Sequence, residues 1–242
     1  MRWFWQRIRA NTQSWPGYMA YCAATTSSAL LARFYRQGCP DSATPIQDVP
    51  LVALDIETTG LDAAQDAIVS IAAVPFTLRR IPLVDRRYWL VRPPSDSLTE
   101  QSVVIHHITH SAIEAAPDLM VVLPELLEVL SGRIAVVHYR HMERAFLDAA
   151  VRDGLGESLL FPVVDTMGLE AERHRSSLRA RLAGFIGRRP TSIRLADSRR
   201  RYRLPLYQGH HALGDAIGTA ELFQAQIAWR FFRLTPLERL WS

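Results

Sequence analysis

Two carboxylates separated by one residue, Asp55 and Glu57, end the apolar run that begins at Leu51. In an extended strand, side chains two positions apart point to the same face, so these carboxylates lie side by side. Neighbouring carboxylates repel each other unless a cation lies between them, and hard divalent ions such as Mg²⁺ prefer oxygen ligands. The pair therefore predicts a metal site at the end of a core strand. An exposed pair of strand-end acids is the alternative.

A third carboxylate, Asp215, follows a histidine, His210, by five positions near the other end of the chain. Asp215 falls in the first turns of a predicted helix and shares a face with Leu222, so its side chain is expected to point inward. Taken alone, Asp215 is also compatible with an acid that interacts with the helix dipole. His210 lies in the loop before this helix, where it can accept a proton near neutral pH.

A fourth carboxylate, Glu143, is expected in a helix after a buried strand. It shares a helical face with Phe146 and Leu147, which marks this face as the one turned to the core. A glutamate in such a position either supports a metal ion or forms a local ion pair with Arg140 or Arg144. Both interpretations remain open at this point.

The elements that must position these residues follow from periodicity and turn residues. Three consecutive strands are predicted at 51–56, 67–76 and in the stretch that ends at residue 93, and short turns make them antiparallel neighbours. Helices at 115–130 and 141–154 then alternate with strands at 134–138 and 162–165, and helices follow to the end. This order predicts an α/β fold with a mixed sheet and helices packed on its faces. We expect residues 1–49 to be an N-terminal helical extension, with a helix at 18–36, and residues 50–242 to form one domain.

The charge of the chain is unevenly distributed. All 28 basic residues are arginine, and the absence of lysine excludes a P-loop lysine, a kinase strand lysine and a Schiff-base lysine. Residues 173–203 contain eleven arginines and one acid, a net charge of +10 in a chain whose total is +4, so the remainder carries −6. We call residues 173–203 the basic segment. It is typical of a surface that binds a polyanion, and a solvated arginine-rich helix is the alternative.

Cysteine content and hydropathy bear on location. Cys22 and Cys39 have neither the spacing nor the neighbours of a disulfide framework or a zinc site, which fits a reducing cytoplasm. The uncharged run at 10–32 is too polar for a signal-peptide core or a membrane span, so we expect a cytoplasmic protein with no integral membrane association. The basic, aromatic start at residues 1–10 leaves peripheral attachment to a membrane surface as an alternative.

Three segments resemble the motifs of the DEDDh 3′-5′ exonucleases, the superfamily of the DnaQ-like proofreading epsilon subunits, RNase T and oligoribonuclease. They are DIETTGLD at 55–62, the segment at 138–147 and HHALGDA at 210–216, and the residues at 105–109 and 165–166 agree as well. The resemblance covers about 51–227. It implies a ribonuclease H-like mixed five-stranded sheet with helices on both faces, preceded here by the N-terminal helical appendage.

The resemblance also implies a metal-dependent phosphodiester hydrolysis with two divalent cations, Mg²⁺ or Mn²⁺. Asp55 would bridge the two ions, Glu57 and Asp215 would complete the ligands of one, and Glu143 would support the other. His210, chosen over its neighbour by the spacing to Asp215, would accept a proton from the attacking water.

By the same resemblance, Thr58, Leu61 and His138 would line the pocket for the terminal nucleotide. The expected partners are 3′ ends of single-stranded nucleic acid, with DNA favoured, and a DNA polymerase complex is a further candidate partner. We also expect some arginines of the basic segment to hold the phosphates of the incoming strand, which would make binding dependent on salt.

The second motif departs from the family pattern. Met142 and Glu143 stand where Phe-Asp is usual, and Tyr139 stands where an asparagine is usual. Glutamate keeps the charge but adds one methylene, so it would either ligate directly or misplace the second ion. The rival interpretation is therefore a catalytically weak nucleic-acid-binding module of the same fold. An accessory proofreading subunit of a DNA polymerase is a further alternative, which concerns partners and does not exclude catalysis.

Overall fold

The computed structural model describes residues 14–94, 110–174 and 190–242. Five strands and eight helices lie in these ranges, together with short 3₁₀ turns at Ile46–Asp48, Leu83–Asp85 and Leu237–Arg239. The strands are β1 Leu51–Thr58, β2 Ile68–Phe76, β3 Arg87–Leu90, β4 Ile134–Val137 and β5 Val163–Asp165. The helices are α1 Trp15–Thr25, α2 Ala29–Arg36, α3 His110–Glu114, α4 Leu119–Leu130, α5 Arg140–Leu155, α6 Thr166–His174, α7 Leu195–Arg201 and α8 Ala212–Arg230.

The strands form one mixed sheet in the order β3-β2-β1-β4-β5. The pairs β1–β2 and β2–β3 are antiparallel, while β1–β4 and β4–β5 are parallel. The predicted α/β fold with a ribonuclease H-like five-stranded sheet is therefore confirmed. The parallel pairing brings the carboxyl ends of β1, β4 and β5 to one edge, where the candidate site residues follow.

The two faces of the sheet support separate hydrophobic clusters. Val52, Leu54 and Ile56 of β1 pack on the side that carries α4 and α5. Leu51 and Ala53 alternate with them and pack on the side that carries α8. This period of two confirms helices on both faces and turns Asp55 and Glu57 toward α8.

The N-terminal helices pack into the first of these clusters. Met19 of α1 and Phe34 and Tyr35 of α2 are buried in the cluster that contains the β1 residues. The single helix expected at 18–36 is wrong, because the chain leaves the helix at Thr26 and the Ser28 side chain accepts a hydrogen bond from the backbone of Leu31 to begin α2. The division of the chain at residue 49 stays a prediction.

Several expectations concern residues outside these ranges. The aromatic residues at 3–5 and the segment at 105–109 are not described, and neither are the arginines at 175, 179, 181, 188 and 189. None of the described helices is long and apolar enough to cross a bilayer. Cys22 and Cys39 are free thiols.

Candidate active site

Three carboxylates from opposite ends of the chain meet at the edge of the sheet. Asp55 and Glu57 project from β1 toward α8, and Asp215 projects from the first turn of α8. One oxygen from each lies within 4.8 Å of the others. The sequence predicted both the side-by-side pair and the inward direction of Asp215, and the sheet order supplies the reason that they meet.

The electrostatics of this cluster favour a bound cation. Burial raises the pKa of Asp55 well above its usual value, and the charges of Glu143, Asp215 and Glu57 raise it further. Burial and Glu57 likewise raise the pKa of Asp215, against the opposing effect of the hydrogen bond from the His210 backbone. Since the ionised forms destabilise one another, a divalent cation that binds all three oxygens would relieve the repulsion. The donor set therefore fits such an ion.

Glu143 lies beside this cluster but outside the set of described oxygens that fall within 4.8 Å of one another. It is 2 % exposed, and its Oε2 atom has no hydrogen-bond partner among the described residues. Burial raises its pKa to about 8, and the nearby Asp165 carboxylate adds to the effect. The prediction that Glu143 faces the core with Phe146 and Leu147 is confirmed.

The two arginines near Glu143 form an ion pair or a hydrogen bond with other groups. Arg140 pairs with Asp165 at 3.5 Å, and Arg144 donates to the backbone carbonyl of Phe161 at 3.0 Å. Within the described residues, Glu143 forms no ion pair. The local pairing that the sequence left open is not present as a salt bridge, although the Arg144 charge lowers the pKa of Glu143 against the effect of burial. Glu143 also lies close enough to Asp55 to raise the pKa of that residue.

His210 lies on the exposed side of the cluster. Its backbone N–H donates to Asp215 Oδ2 at 2.9 Å, and its own φ angle is 64°. A non-glycine residue rarely adopts this left-handed conformation, which costs about 1–3 kcal/mol and persists only where the surroundings impose it. The backbone at His210 is thus fixed in relation to Asp215.

The three residues expected to line a nucleotide pocket occupy different environments. The Thr58 hydroxyl is buried and donates to the Gly60 carbonyl at 2.5 Å, whereas Leu61 is 85 % exposed in the following turn. The ring nitrogens of His138 lie 2.8 Å from the Thr166 hydroxyl and 3.0 Å from the Ile193 carbonyl. Burial lowers the pKa of His138 to about 4, so the ring is neutral, and because a carbonyl only accepts, Nε2 carries the proton. Their proposed role in substrate binding stays a prediction.

Within the basic segment, two central arginines form ion pairs with acids of other helices. Arg199 is 2 % exposed and pairs with Glu221 at 2.7 Å. Arg201 pairs with the buried Glu170 at 2.6 Å. These guanidinium groups stabilise the packing of α7, so they are not available to a nucleic-acid phosphate. We therefore expect the other arginines of the basic segment, and not Arg199 or Arg201, to hold phosphates.

An aromatic side chain next to the site, Tyr88 of β3, was missed by sequence reasoning. It stacks on His211, with ring centroids 5.2 Å apart and an interplanar angle of 14°. The register places Tyr88 opposite Ala72 and Ala72 opposite Asp55, so these residues form one row on the α8 face. Burial and the Glu57 charge raise the pKa of Tyr88, against the opposing effect of Ser70. Only the register of the β2–β3 pair, which the sequence does not provide, would have identified Tyr88.

Comparison with known proteins gives a consistent result. The family model of the RNase T exonucleases matches residues 52–223. The PolC-type DNA polymerase III of Thermotoga maritima is 32 % identical over 176 residues, which are 73 % of this chain and 12 % of that protein. The epsilon subunit of DNA polymerase III of Treponema pallidum is 27 % identical over 182 residues, which are 75 % of this chain and 78 % of the subunit.

Among solved structures, the chain is similar to the nuclease domain of 3′hExo, a DEDDh family member bound to rAMP. The TM-score is 0.59 at 13 % identity, and the match covers 78 % of this chain and 94 % of that domain. At this identity the likeness concerns the fold. The chain spans only about an eighth of the length of the PolC-type relative.

Proposed function

This chain belongs to the RNase T family of DEDDh, DnaQ-like 3′-5′ exonucleases, and from that premise we propose that it removes nucleotides from the 3′ ends of single-stranded nucleic acid, with DNA favoured. The observation that carries the proposal is the convergence of Asp55, Glu57 and Asp215 within 4.8 Å. Carboxylates that destabilise one another at the edge of a core sheet are stabilised by a bound cation, so this cluster supports a cation site.

The proposed cofactors are two divalent cations, Mg²⁺ or Mn²⁺. Asp55, Glu57 and Asp215 would hold one of them, and Asp55 with Glu143 would hold the other. Bound in such a site, divalent ions lower the pKa of water and stabilise the charge on the leaving oxygen. Glu143 Oε2 has no hydrogen-bond partner in the described part of the chain and Glu143 lies near Asp55, and both observations support its assignment as a ligand.

His210 is the proposed general base. The hydrogen bond from its backbone to Asp215 fixes its position relative to the carboxylates, and its exposed side chain is open to substrate and solvent. A neutral imidazole accepts a proton near neutral pH, which suits the deprotonation of an attacking water. Proton transfer of this kind typically contributes about 10²–10⁴-fold to a rate.

The preference for DNA rests on the relatives, two of which are named as a DNA polymerase and a polymerase subunit. The structurally similar 3′hExo domain binds rAMP, so RNA belongs in the same test. The experiment is the degradation of single-stranded DNA and RNA, each with a free or a blocked 3′ end, in the presence of Mg²⁺, Mn²⁺ or a chelator.

The expected result is metal-dependent shortening from free 3′ ends, with faster cleavage of DNA, and loss of activity in Asp55→Ala. Removal of Asp55 takes away the proposed shared ligand, so the rate should fall by at least about 10³-fold, in the range found when central catalytic groups are removed. Activity that persists in the chelator, or an Asp55→Ala protein with the wild-type rate, would contradict the mechanism. Equal rates on DNA and RNA would contradict only the substrate preference.

The second candidate function is a nucleic-acid-binding module that cleaves poorly, and Glu143 is the residue that favours it. If the longer side chain misplaces an ion, Glu143→Asp should accelerate cleavage above the wild-type rate. If Glu143 is an effective ligand, Glu143→Ala should slow cleavage at least about tenfold, and Glu143→Asp should not exceed the wild type. We expect the second pattern.

Association with a DNA polymerase is a further proposal, supported by the match to 78 % of the Treponema epsilon subunit. Binding of the purified chain to the replicative polymerase catalytic subunit of the same cell, measured by size-exclusion chromatography, tests it. Separate elution of the two proteins at micromolar concentration would count against a stable complex.

A further inference from the structure

The loop that carries His210 joins α7 to α8 and consists of residues 203–211, which we call the histidine loop. Nearly all of its side chains are exposed, including Leu206 and Tyr207. Exposed loops ordinarily sample several conformations, yet a general base must stay within hydrogen-bonding reach of its proton donor. The contacts that fix this loop therefore bear directly on catalysis.

The first part of the histidine loop is bound by Arg199. The buried guanidinium donates to the Pro205 carbonyl from Nη2 at 2.7 Å and from Nε at 3.2 Å. The same group donates to the Gly218 carbonyl of α8 at 2.6 Å. One side chain thus ties the loop backbone to the helix that begins just after it.

Tyr207 completes this first attachment. Its ring lies 4.5 Å from the Arg199 guanidinium, and its hydroxyl donates to Glu221 Oε1 at 2.9 Å. The other oxygen of Glu221 pairs with Arg199 at 2.7 Å. Tyr207, three residues before His210, therefore covers the ion pair between Arg199 and Glu221, which joins α7 to α8.

The end of the loop is attached to a different part of the fold. The ring of His211 stacks on Tyr88 of β3, and the His211 carbonyl accepts from the backbone N–H of Asp215 at 3.0 Å. His210 lies between the two attachments with its backbone in the left-handed region. A conformation of that kind persists where the surrounding structure imposes it.

We propose that the histidine loop is clamped at both ends and that this clamp keeps His210 beside Asp215. At the first end, Arg199 and Glu221 hold Pro205 and Tyr207. At the second end, Tyr88 holds His211. Tyr207 and His211 are in this view positioning residues. The inference rests on the proposed function, since it concerns the residue proposed as the general base. Arg199 is unsuitable for a test because its removal would leave Glu221 without its buried partner.

The test uses Tyr207→Ala and His211→Ala, whose exposed side chains can be truncated without opening the core. Both are expected to lower kcat about tenfold to a hundredfold, the cost of misplacing a catalytic group by about 1 Å. The KM for single-stranded DNA and the affinity for Mn²⁺ should stay within twofold of the wild type. His211→Phe preserves a stacking ring and should restore most of the rate, and Leu206→Ala is the matched control in the same loop, with no loss expected.

Hydrogen exchange of the backbone amides at 203–211 provides a readout that does not depend on activity. The amides should exchange faster in Tyr207→Ala and His211→Ala than in the wild type and in Leu206→Ala. If kcat and exchange in both variants match the wild type while His210→Ala has lost activity, the clamp is wrong and the proposed base stands. If the wild type shows no metal-dependent cleavage, the proposed function fails, and the exchange rates alone decide whether the loop is clamped.

Discussion

Glu143 is a buried acid whose charge is unfavourable until something compensates it. With a pKa of about 8, it is protonated at neutral pH when no cation is bound. The folded protein then binds a proton that the unfolded chain has released, so the free energy of unfolding falls as the pH rises toward 8. Each unit of pKa displacement is worth about 1.4 kcal/mol, so the total effect reaches several kcal/mol.

Glu143→Gln removes this dependence because the amide is neutral at every pH. In chelator, the variant should be as stable as the wild type at pH 5 and more stable by several kcal/mol at pH 8, as measured by urea unfolding. His138, whose pKa is lowered, affects both proteins equally and cancels in the difference. In saturating Mg²⁺ the order should reverse at pH 8, because only the wild type retains the ligand. A constant difference between the proteins from pH 5 to 8 in chelator would contradict the buried, protonated state of Glu143.

At the level of elements, α1 and α2 are attached to the rest of the fold by both apolar and polar contacts. Phe34 packs edge-on against Phe161 at 6.4 Å, and the Tyr35 hydroxyl accepts from the backbone N–H of Leu160 at 3.1 Å. The Glu157 carboxylate accepts hydrogen bonds from Thr26, Ser27 and Ser28 in the turn between the two helices. These contacts pack both helices against the hydrophobic cluster that contains the β1 residues.

Truncation of one core side chain in α2 should therefore destabilise the whole protein. Phe34→Ala is expected to lower the free energy of unfolding by about 3–5 kcal/mol, because it leaves a cavity in the shared core. Tyr21→Ala, at a position of α1 that is 50 % exposed, should change it by less than about 0.5 kcal/mol. Thermal inactivation of the exonuclease should follow the same order as unfolding measured by circular dichroism. Unchanged inactivation in Phe34→Ala would mean that the helices form an independent extension.

Most helices and strands could be predicted from the sequence where the hydrophobic residues recur with a clear period. The period-two pattern of β1 identified both the sheet faces and the direction of Asp55 and Glu57, and the helical period identified the buried face of Glu143. The break between α1 and α2 was not predicted, because besides the local Ser28 cap it is held by hydrogen bonds to Glu157, more than a hundred residues away. Tyr88 and Arg199 were missed or misassigned for the same reason, since a register or a distant ion pair decides what each side chain contacts.

At the scale of the molecule, the chain brings three kinds of group to one edge of the sheet: carboxylates, the histidine loop and part of the basic segment. Ile193 of that segment is tied to His138 at the end of β4, and β4 lies beside β1. The neighbouring Arg194 is therefore close to the edge that carries the acidic cluster. Arg203 is the first residue of the histidine loop, which leads the chain to the same edge of the sheet.

Arg194 and Arg203 differ from the other described arginines of the segment in having no side-chain hydrogen bond or ion pair to a described residue, and both are exposed. Arg173, although exposed, donates to the Tyr202 hydroxyl at 3.1 Å, and Arg200 pairs with Asp197 at 2.9 Å. Arg199 and Arg201 are held by Glu221 and Glu170. An exposed, unpaired guanidinium can bind a phosphate bidentately at little desolvation cost, whereas a buried pair must first be broken. Among the described members of the basic segment, we therefore expect Arg194 and Arg203 to hold phosphates.

Salt dependence separates these roles. A plot of log binding constant against log salt concentration for single-stranded DNA, in Ca²⁺ to prevent cleavage, should become shallower by about 0.7 for each phosphate that the protein no longer binds. Arg194→Ala and Arg203→Ala should each reduce the slope by about that amount, and Arg239→Ala, exposed but outside the segment, should not. Arg199→Ala should instead lower the temperature of unfolding, because it leaves Glu221 without its partner. An unchanged slope in the Arg194→Ala, Arg203→Ala double variant would place the phosphate-binding groups elsewhere on the protein.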